Sequence, residues 1–220
     1  MLDCITLEPD SPATACVIWM HGLGADGNDF VPIVPELNLP TGHGVRFVFP
    51  NAPTMPVTIN GGYVMRAWYD IISAELDKRA DEGGVRRSQA LIEELIADQR
   101  SKGIAADRIL LAGFSQGGVI ALQTGLRHPE KLAGIMALST YLACADSLGV
   151  EASAANRKIP LLMVHGSMDP VIPVALAKLS KARLETHGYK VEWHEYGMPH
   201  SVCAEEIDDI AAFLKRVLAL

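Results

Sequence analysis

The feature that most constrains this chain is the texture of its apolar residues. Six short runs recur: "TACVIWM" (14–20), "VRFVF" (45–49), "RILLAG" (108–113), "GIMALS" (134–139), "PLLMVH" (160–165) and "KVEWHEY" (190–196). Most are continuous rather than alternating, the pattern of strands buried on both faces of a parallel sheet. The last is more amphipathic, which places it nearer an edge. Helical patterns separate the runs. Residues 85–103 set Leu91, Ile92, Leu95 and Ile96 on one face and stop at Gly103. Residues 174–188 close on Gly188. Residues 201–220 carry acids early and Lys215 and Arg216 late, which suits the helix dipole. Strands alternating with helices predict an α/β fold, a mostly parallel central sheet with helices on both faces. No repeat, low-complexity tract or linker interrupts the pattern, so residues 1–220 read as one domain.

Composition and charge exclude several function classes. The 220 residues are 49% hydrophobic and 20% charged, which is a globular balance. The net charge is −7, with no basic run to neutralise a phosphate backbone, so nucleic acid is not an expected partner. "MLDCITLEPDSP" has no basic start, apolar centre or cleavage site, and no run approaches the roughly 18 apolar residues of a membrane span. Cys4, Cys16, Cys144 and Cys203 are scattered without a C-x-x-C pair. They read as reduced thiols in a cytoplasmic protein.

"GFSQGG" (113–118) follows a strand pattern and opens a helical one, "GGVIALQTGLRH". G-x-S-x-G at such a junction fits a nucleophile elbow, in which a sharp turn presents the serine hydroxyl. Strand and helix approach closely there, and Gly113 and Gly117 supply the small residues required. The bare pattern arises by chance often enough to be weak. Its place between strand and helix makes Ser115 the candidate nucleophile.

A serine hydroxyl needs a base, and the base needs an orienting carboxylate. With an elbow, the expected chain order is Ser, then Asp or Glu, then His. His200 follows "YGMP", beyond the last strand pattern and before the final helix. Pro199 disfavours helix at Met198, which leaves His200 on a loop. His194, inside the strand pattern, is its rival. Asp169 stands in the turn after "LLMVHG" and is the candidate acid, with Asp146, in the irregular stretch 140–159, as the alternative. Two backbone donors should hold the oxyanion. Gln116, directly after the nucleophile, supplies one. The loop "HGLGADG" after the first long strand supplies the other, at Leu23. The same glycines match G-x-G-x-x-G, a dinucleotide fingerprint, but His21 and the downstream elbow account for them better. Histidines are dispersed, H-E-x-x-H is absent, and no metal or cofactor is expected.

Residues 50–84 are rich in Pro and Gly yet carry Met55, Tyr63, Met65, Trp68, Tyr69, Ile71 and Ile72. Long irregular segments of this kind are usually functional or disordered, and the aromatic content argues against disorder. Together, "HGLGADGNDF", "APTMPVTINGGYVMRAWYDI", "GFSQGG", "HGSMDPVIP" and "GMPHSVCAEEIDDI" resemble the carboxylesterase/acyl-protein thioesterase family, most closely its small bacterial carboxylesterases. The resemblance implies an α/β-hydrolase fold without a large cap domain. It also implies a triad of Ser115, Asp169 and His200 with oxyanion donors Leu23 and Gln116. An apolar acyl groove is implied beside residues 50–84, with Met65 and Trp68 as lining candidates. The implied substrate is a small-molecule or lipid acyl ester. Similar proteins are often dimers, although no patch in the sequence marks an interface. Some eukaryotic relatives carry a lipid-modified cysteine at position 2, where this chain has Leu2. The expected function is ester hydrolysis through an acyl-enzyme. The alternatives are a long-chain acyl-protein thioesterase or lysophospholipase and, from another class, a hydrolase-fold binding protein without turnover.

Overall fold

The computed structural model describes residues 2–73 and 81–220. All six apolar runs become strands: β2 (Ala15–Met20), β3 (Val45–Pro50), β6 (Ile109–Phe114), β7 (Gly134–Leu138), β8 (Leu161–Gly166) and β9 (Val191–Tyr196). They join β1 (Cys4–Leu7) in a seven-stranded sheet of order β1-β3-β2-β6-β7-β8-β9, parallel except for β1. As its amphipathic pattern implies, β9 lies at an edge. The opposite edge, β1, is four residues long and too short for a recognisable pattern. A separate hairpin, β4 (Thr54–Val57) and β5 (Tyr63–Arg66), occupies part of the irregular segment. Residues 74–80 of that segment lie outside the described residues.

Alternate side chains of β2 feed two cores. Cys16, Ile18 and Met20 pack with Ile92, Leu95 and Ile96 of α2 (Glu82–Ser101) and with Val119 and Ile120 of α3 (Gln116–Arg127). Val17 and Trp19 pack on the other face with Phe47, Phe49 and Ile210, Phe213, Leu214 of α6 (Ala204–Val217). The remaining α-helices among the described residues are α5 (Val174–Thr186) and two single turns, α1 (Ile33–Glu36) and α4 (Leu148–Glu151). Only short turns separate β7 from β8, so no cap domain is inserted there. Helix α2 starts before the expected position because the Asp81 side chain accepts the Gly84 N–H at 2.8 Å and caps it.

The strand order creates the place for a site. From β2 the chain moves outward to β3, then returns to β6 on the other side of β2 and proceeds outward to β9. A crevice therefore opens beyond the C-terminal ends of β2 and β6, where the connections diverge. The loop "HGLGADG" leaves β2 there, and "GFSQGG" leaves β6. Among the described residues, no helix is long and apolar enough to cross a membrane. The four cysteines are separate free thiols.

Candidate active site

The glycines around Ser115 are dictated by backbone proximity. A Cβ on Gly113 would lie 2.1 Å from the Gly117 carbonyl oxygen, and one on Gly117 would lie 2.3 Å from the Met20 carbonyl oxygen. With strand, helix and neighbouring strand this close, the turn is sharp. Ser115 sits at φ 54°, ψ −119°, a strained conformation for a residue with a side chain. The end of β7 holds it there. The Ser115 N–H donates to the Leu138 carbonyl at 2.9 Å, and Thr140 Oγ1 donates to the Ser115 carbonyl at 2.7 Å.

Asp169 and His200 meet across the ends of β8 and β9. His200 Nδ1 lies 2.6 Å from Asp169 Oδ2, and Asp169 Oδ1 accepts the backbone N–H groups of Val171 and Ile172 at 2.8 and 2.9 Å. With Nδ1 donating to the carboxylate, Nε2 is left with its lone pair, the tautomer a general base needs. The His200 ring packs 4.7 Å, centroid to centroid, from Phe114, the residue preceding Ser115. Gly166 makes this assembly possible: a Cβ there would lie 2.3 Å from the Met198 carbonyl oxygen, on the segment leading to His200. The rivals lie elsewhere. His194 Nδ1 is 2.8 Å from Asp209 Oδ2, and Asp146 shares a surface depression with Arg183, Thr186 and His187.

The loop after β2 is braced beside the elbow. A Cβ on Gly22 would stand 3.5 Å from that of Ser115. His21, almost wholly buried, contacts the Gly22 carbonyl through Nδ1 at 2.7 Å and accepts the Ala52 N–H through Nε2 at 3.0 Å. Burial lowers its pKa, although the Gly22 carbonyl opposes this, and with both ring nitrogens engaged by backbone the neutral ring serves as a brace. Sequence reasoning did not see that role. Gln116 opens α3, so its amide is one of the first-turn N–H groups that find no partner within the helix. Its side chain is fixed, accepting the Trp68 N–H at 3.0 Å and donating to the Tyr69 carbonyl at 2.8 Å.

Ser115, Gln116 and Leu23 line one cavity of about 280 Å³. The remaining wall is mainly apolar: Ile59, Asn60, Tyr69, Ile71, Tyr141, Val171 and Ile172. The hydroxyls of Tyr69 and Tyr141, both on buried side chains, are 3.0 Å apart. Neither lining candidate from the sequence is in this wall. Trp68 is 2% exposed and serves the scaffold, its indole N–H donating to the His21 carbonyl at 2.9 Å. Met65 lies behind the loop, with its sulfur 3.6 Å from where a Gly24 Cβ would stand. The irregular segment does supply wall residues, Ile59, Asn60, Tyr69 and Ile71, but Trp68 is buried in the scaffold and Met65 is only half-buried beside Gly24. Val171 and Ile172, apolar residues in the turn carrying Asp169, were the overlooked signal.

Just after His200, α6 begins with a buried acid. Burial raises the Glu206 pKa to about 8; the Cys203 backbone partly offsets this, and nearby Asp209 adds to it. An acid whose pKa is raised on folding contributes its full stability below the unfolded value near 4.5 and loses it as pH rises through the folded value. The contribution of Glu206 to stability should therefore fall between about pH 4.5 and 8. Glu206→Gln mimics the protonated form, so it should unfold at a higher temperature than the parent at pH 9 and at a similar one at pH 4.5. Thermal melts at both values check this. Equal melting temperatures at pH 9 would exclude it.

Comparison with known proteins agrees with this fold. The family model described as phospholipase/carboxylesterase matches residues 3–218. Acyl-protein thioesterase 1 of Neurospora crassa is 41% identical over 214 residues, covering 93% of this chain and 87% of the relative. The crystal structure of Zea mays acyl-protein thioesterase 2 superposes with a TM-score of 0.86 at 28% identity, covering 99% of this chain and 100% of the other. That of esterase PE8 superposes with a TM-score of 0.84 at 28% identity, covering 99% of each. A parallel sheet with an elbow serine at its switch point and a match over nearly the whole length make the chain a member of the phospholipase/carboxylesterase family of α/β-hydrolases.

Proposed function

We propose that this chain is a serine esterase that cleaves acyl esters with Ser115 as nucleophile, His200 as base and Asp169 as the orienting acid. Ser115 Oγ attacks the ester carbonyl as its proton passes to His200 Nε2. The carbonyl oxygen becomes an oxyanion held by the backbone N–H groups of Leu23 and Gln116. His200 then gives the proton to the leaving alcohol, and the acyl group remains on Ser115. Water, deprotonated by His200, attacks this acyl-enzyme; the bond to Ser115 Oγ breaks, His200 returns the proton to that oxygen, and the acid is released. The observation that carries the reading is the convergence of Ser115, Leu23 and Gln116 on one apolar cavity beside the Asp169–His200 pair. A triad of this kind requires no cofactor.

The mainly apolar wall favours an uncharged acyl tail. A thioester is the second reading, favoured by the relative's name at 41% identity. We place the enzyme in the cytoplasm, acting on small-molecule or lipid acyl esters, with a homodimer as an assembly to examine.

The acyl series of p-nitrophenyl esters, acetate to palmitate, tests the reading. Each buried methylene is worth about 0.8 kcal/mol, or roughly fourfold in binding, so kcat/KM should climb from acetate until the cavity is filled and then level or fall. A series that declines from acetate onward would remove the cavity from acyl recognition. A fluorophosphonate probe should label Ser115 in the same preparation. A silent serine would favour the non-catalytic binding protein.

A further inference from the structure

A second imidazole stands behind the candidate acid. His165, the fifth residue of β8, is 1% exposed, and its Nε2 lies 2.8 Å from the Ile172 carbonyl oxygen and 3.4 Å from Asp169 Oδ2. The carbonyl only accepts, so Nε2 carries the proton. One N–H thus closes the turn Gly166–Ile172 from within and lies beside the oxygen that faces His200. The ring is held flat against Trp193 of β9, 6.4 Å away at an interplanar angle of 9°. From β9, Glu195 is its register partner, and that carboxylate is engaged by Lys178 of α5 at 2.9 Å. Asp169 and His200 are the other ionisable groups acting on it, and burial dominates, lowering its pKa.

We infer that His165 is a positioning residue for the Asp169 carboxylate, acting as a neutral N–H donor that fixes the turn from Gly166 to Ile172. This rests on the proposed roles of Asp169 and His200. Three features fit a neutral donor. A cation in this buried space would compete with His200 for Asp169 Oδ2. An apolar ring would leave the buried Ile172 carbonyl without its donor. A turn relaxed by that loss would carry Oδ2 away from His200 Nδ1, with the Val171 and Ile172 amides that grip Oδ1 moving too.

The experiment compares His165→Phe, which keeps a flat ring without the N–H, with His165→Gln, whose Nε2 can reach the same carbonyl. The phenylalanine protein should lose about 10- to 100-fold in kcat with KM within about twofold, the scale seen when a supporting partner of a catalytic group is removed. The glutamine protein should recover most of that loss. Imidazole nitrogen NMR of the unsubstituted chain should show His165 as the neutral Nε2–H tautomer from pH 5 to 9. This readout stands even if the phenylalanine protein does not fold. Unchanged kcat in His165→Phe, equal losses in both variants, or an Nδ1–H or charged His165 would each overturn the proposal. Asp169→Ala and His200→Ala, measured alongside, separate the two levels. If they stay active, the triad reading fails. If only they are impaired, His165 alone is misassigned.

Discussion

Ser115→Ala is expected to lower kcat/KM for p-nitrophenyl esters by about 10⁴-fold or more while leaving the fold intact. Such a loss corresponds to about 5.5 kcal/mol of transition-state stabilisation. The size follows from the proposed triad acting as a unit. Without Oγ there would be no covalent intermediate, and the His200–Asp169 pair would have no hydroxyl to activate. The remaining rate would come from the oxyanion donors and from binding in the apolar cavity, which in comparable triads still exceeds water alone. The substitution removes only a side-chain oxygen, and the Ser115 N–H bond to Leu138 and its carbonyl bond from Thr140 both involve backbone. The melting temperature should therefore change little or rise, since alanine carries no polar atom into the site. A variant retaining more than about a hundredth of the parental rate would rule out Ser115 as nucleophile.

Gly117→Ala is expected to have the largest effect on folding. The added methyl would meet backbone on three sides: the Met20 carbonyl oxygen at 2.3 Å, its carbon at 2.6 Å and the His21 carbonyl oxygen at 2.7 Å. Contacts with backbone cannot be relieved by a rotamer change, so β2 and α3 must separate. Overpacking of this severity should cost at least about 3 kcal/mol. In a chain of this size that corresponds to a drop of roughly 6–12 °C in Tm. Activity should fall as well, because the displaced carbonyls belong to the loop bearing Leu23. Gly197→Ala is the internal comparison. No atom lies within 4 Å of its new methyl, and its φ lies outside the left-handed region, so its stability should stay within about 0.5 kcal/mol of the parent. Differential scanning calorimetry of the two variants and the parent decides the matter. Equal melting temperatures would mean that the strand–helix corner is looser than its geometry indicates.

Much of this architecture was readable from apolar texture because parallel strands buried on both faces announce themselves as continuous runs. The elements that escaped are those whose local signal is overridden. Four residues of β1 are too few to show a period, and the β4–β5 hairpin is broken up by Pro56 and Gly61–Gly62. Helix α2 begins through Gly83 and Gly84, poor helix formers, and at Gly84 the Asp81 cap and the nearness of Tyr69 leave no room for a side chain. Ser115, Asp169 and His200 could be nominated because each follows a strand and has few competitors in its place along the chain. The cavity wall could not, because its residues come from separate loops, and apolarity alone does not say which way a side chain turns. Trp68 illustrates the point: its size marks it as important, but its N–H finds the His21 carbonyl and its ring goes inward.

The Gln116 side chain makes two bonds to the main chain of residues 68–69, one donated and one accepted. It behaves like a single rung of sheet stitched between two loops that share no strand pairing. The residue whose amide would receive the developing charge thereby also carries the wall that holds the tail of the substrate. Under the proposed function, fit at one end of the acyl group would bear on the other: a tail pressing on Tyr69 would strain the anchor of the oxyanion donor, so chain-length preference should be expressed in turnover as well as in affinity.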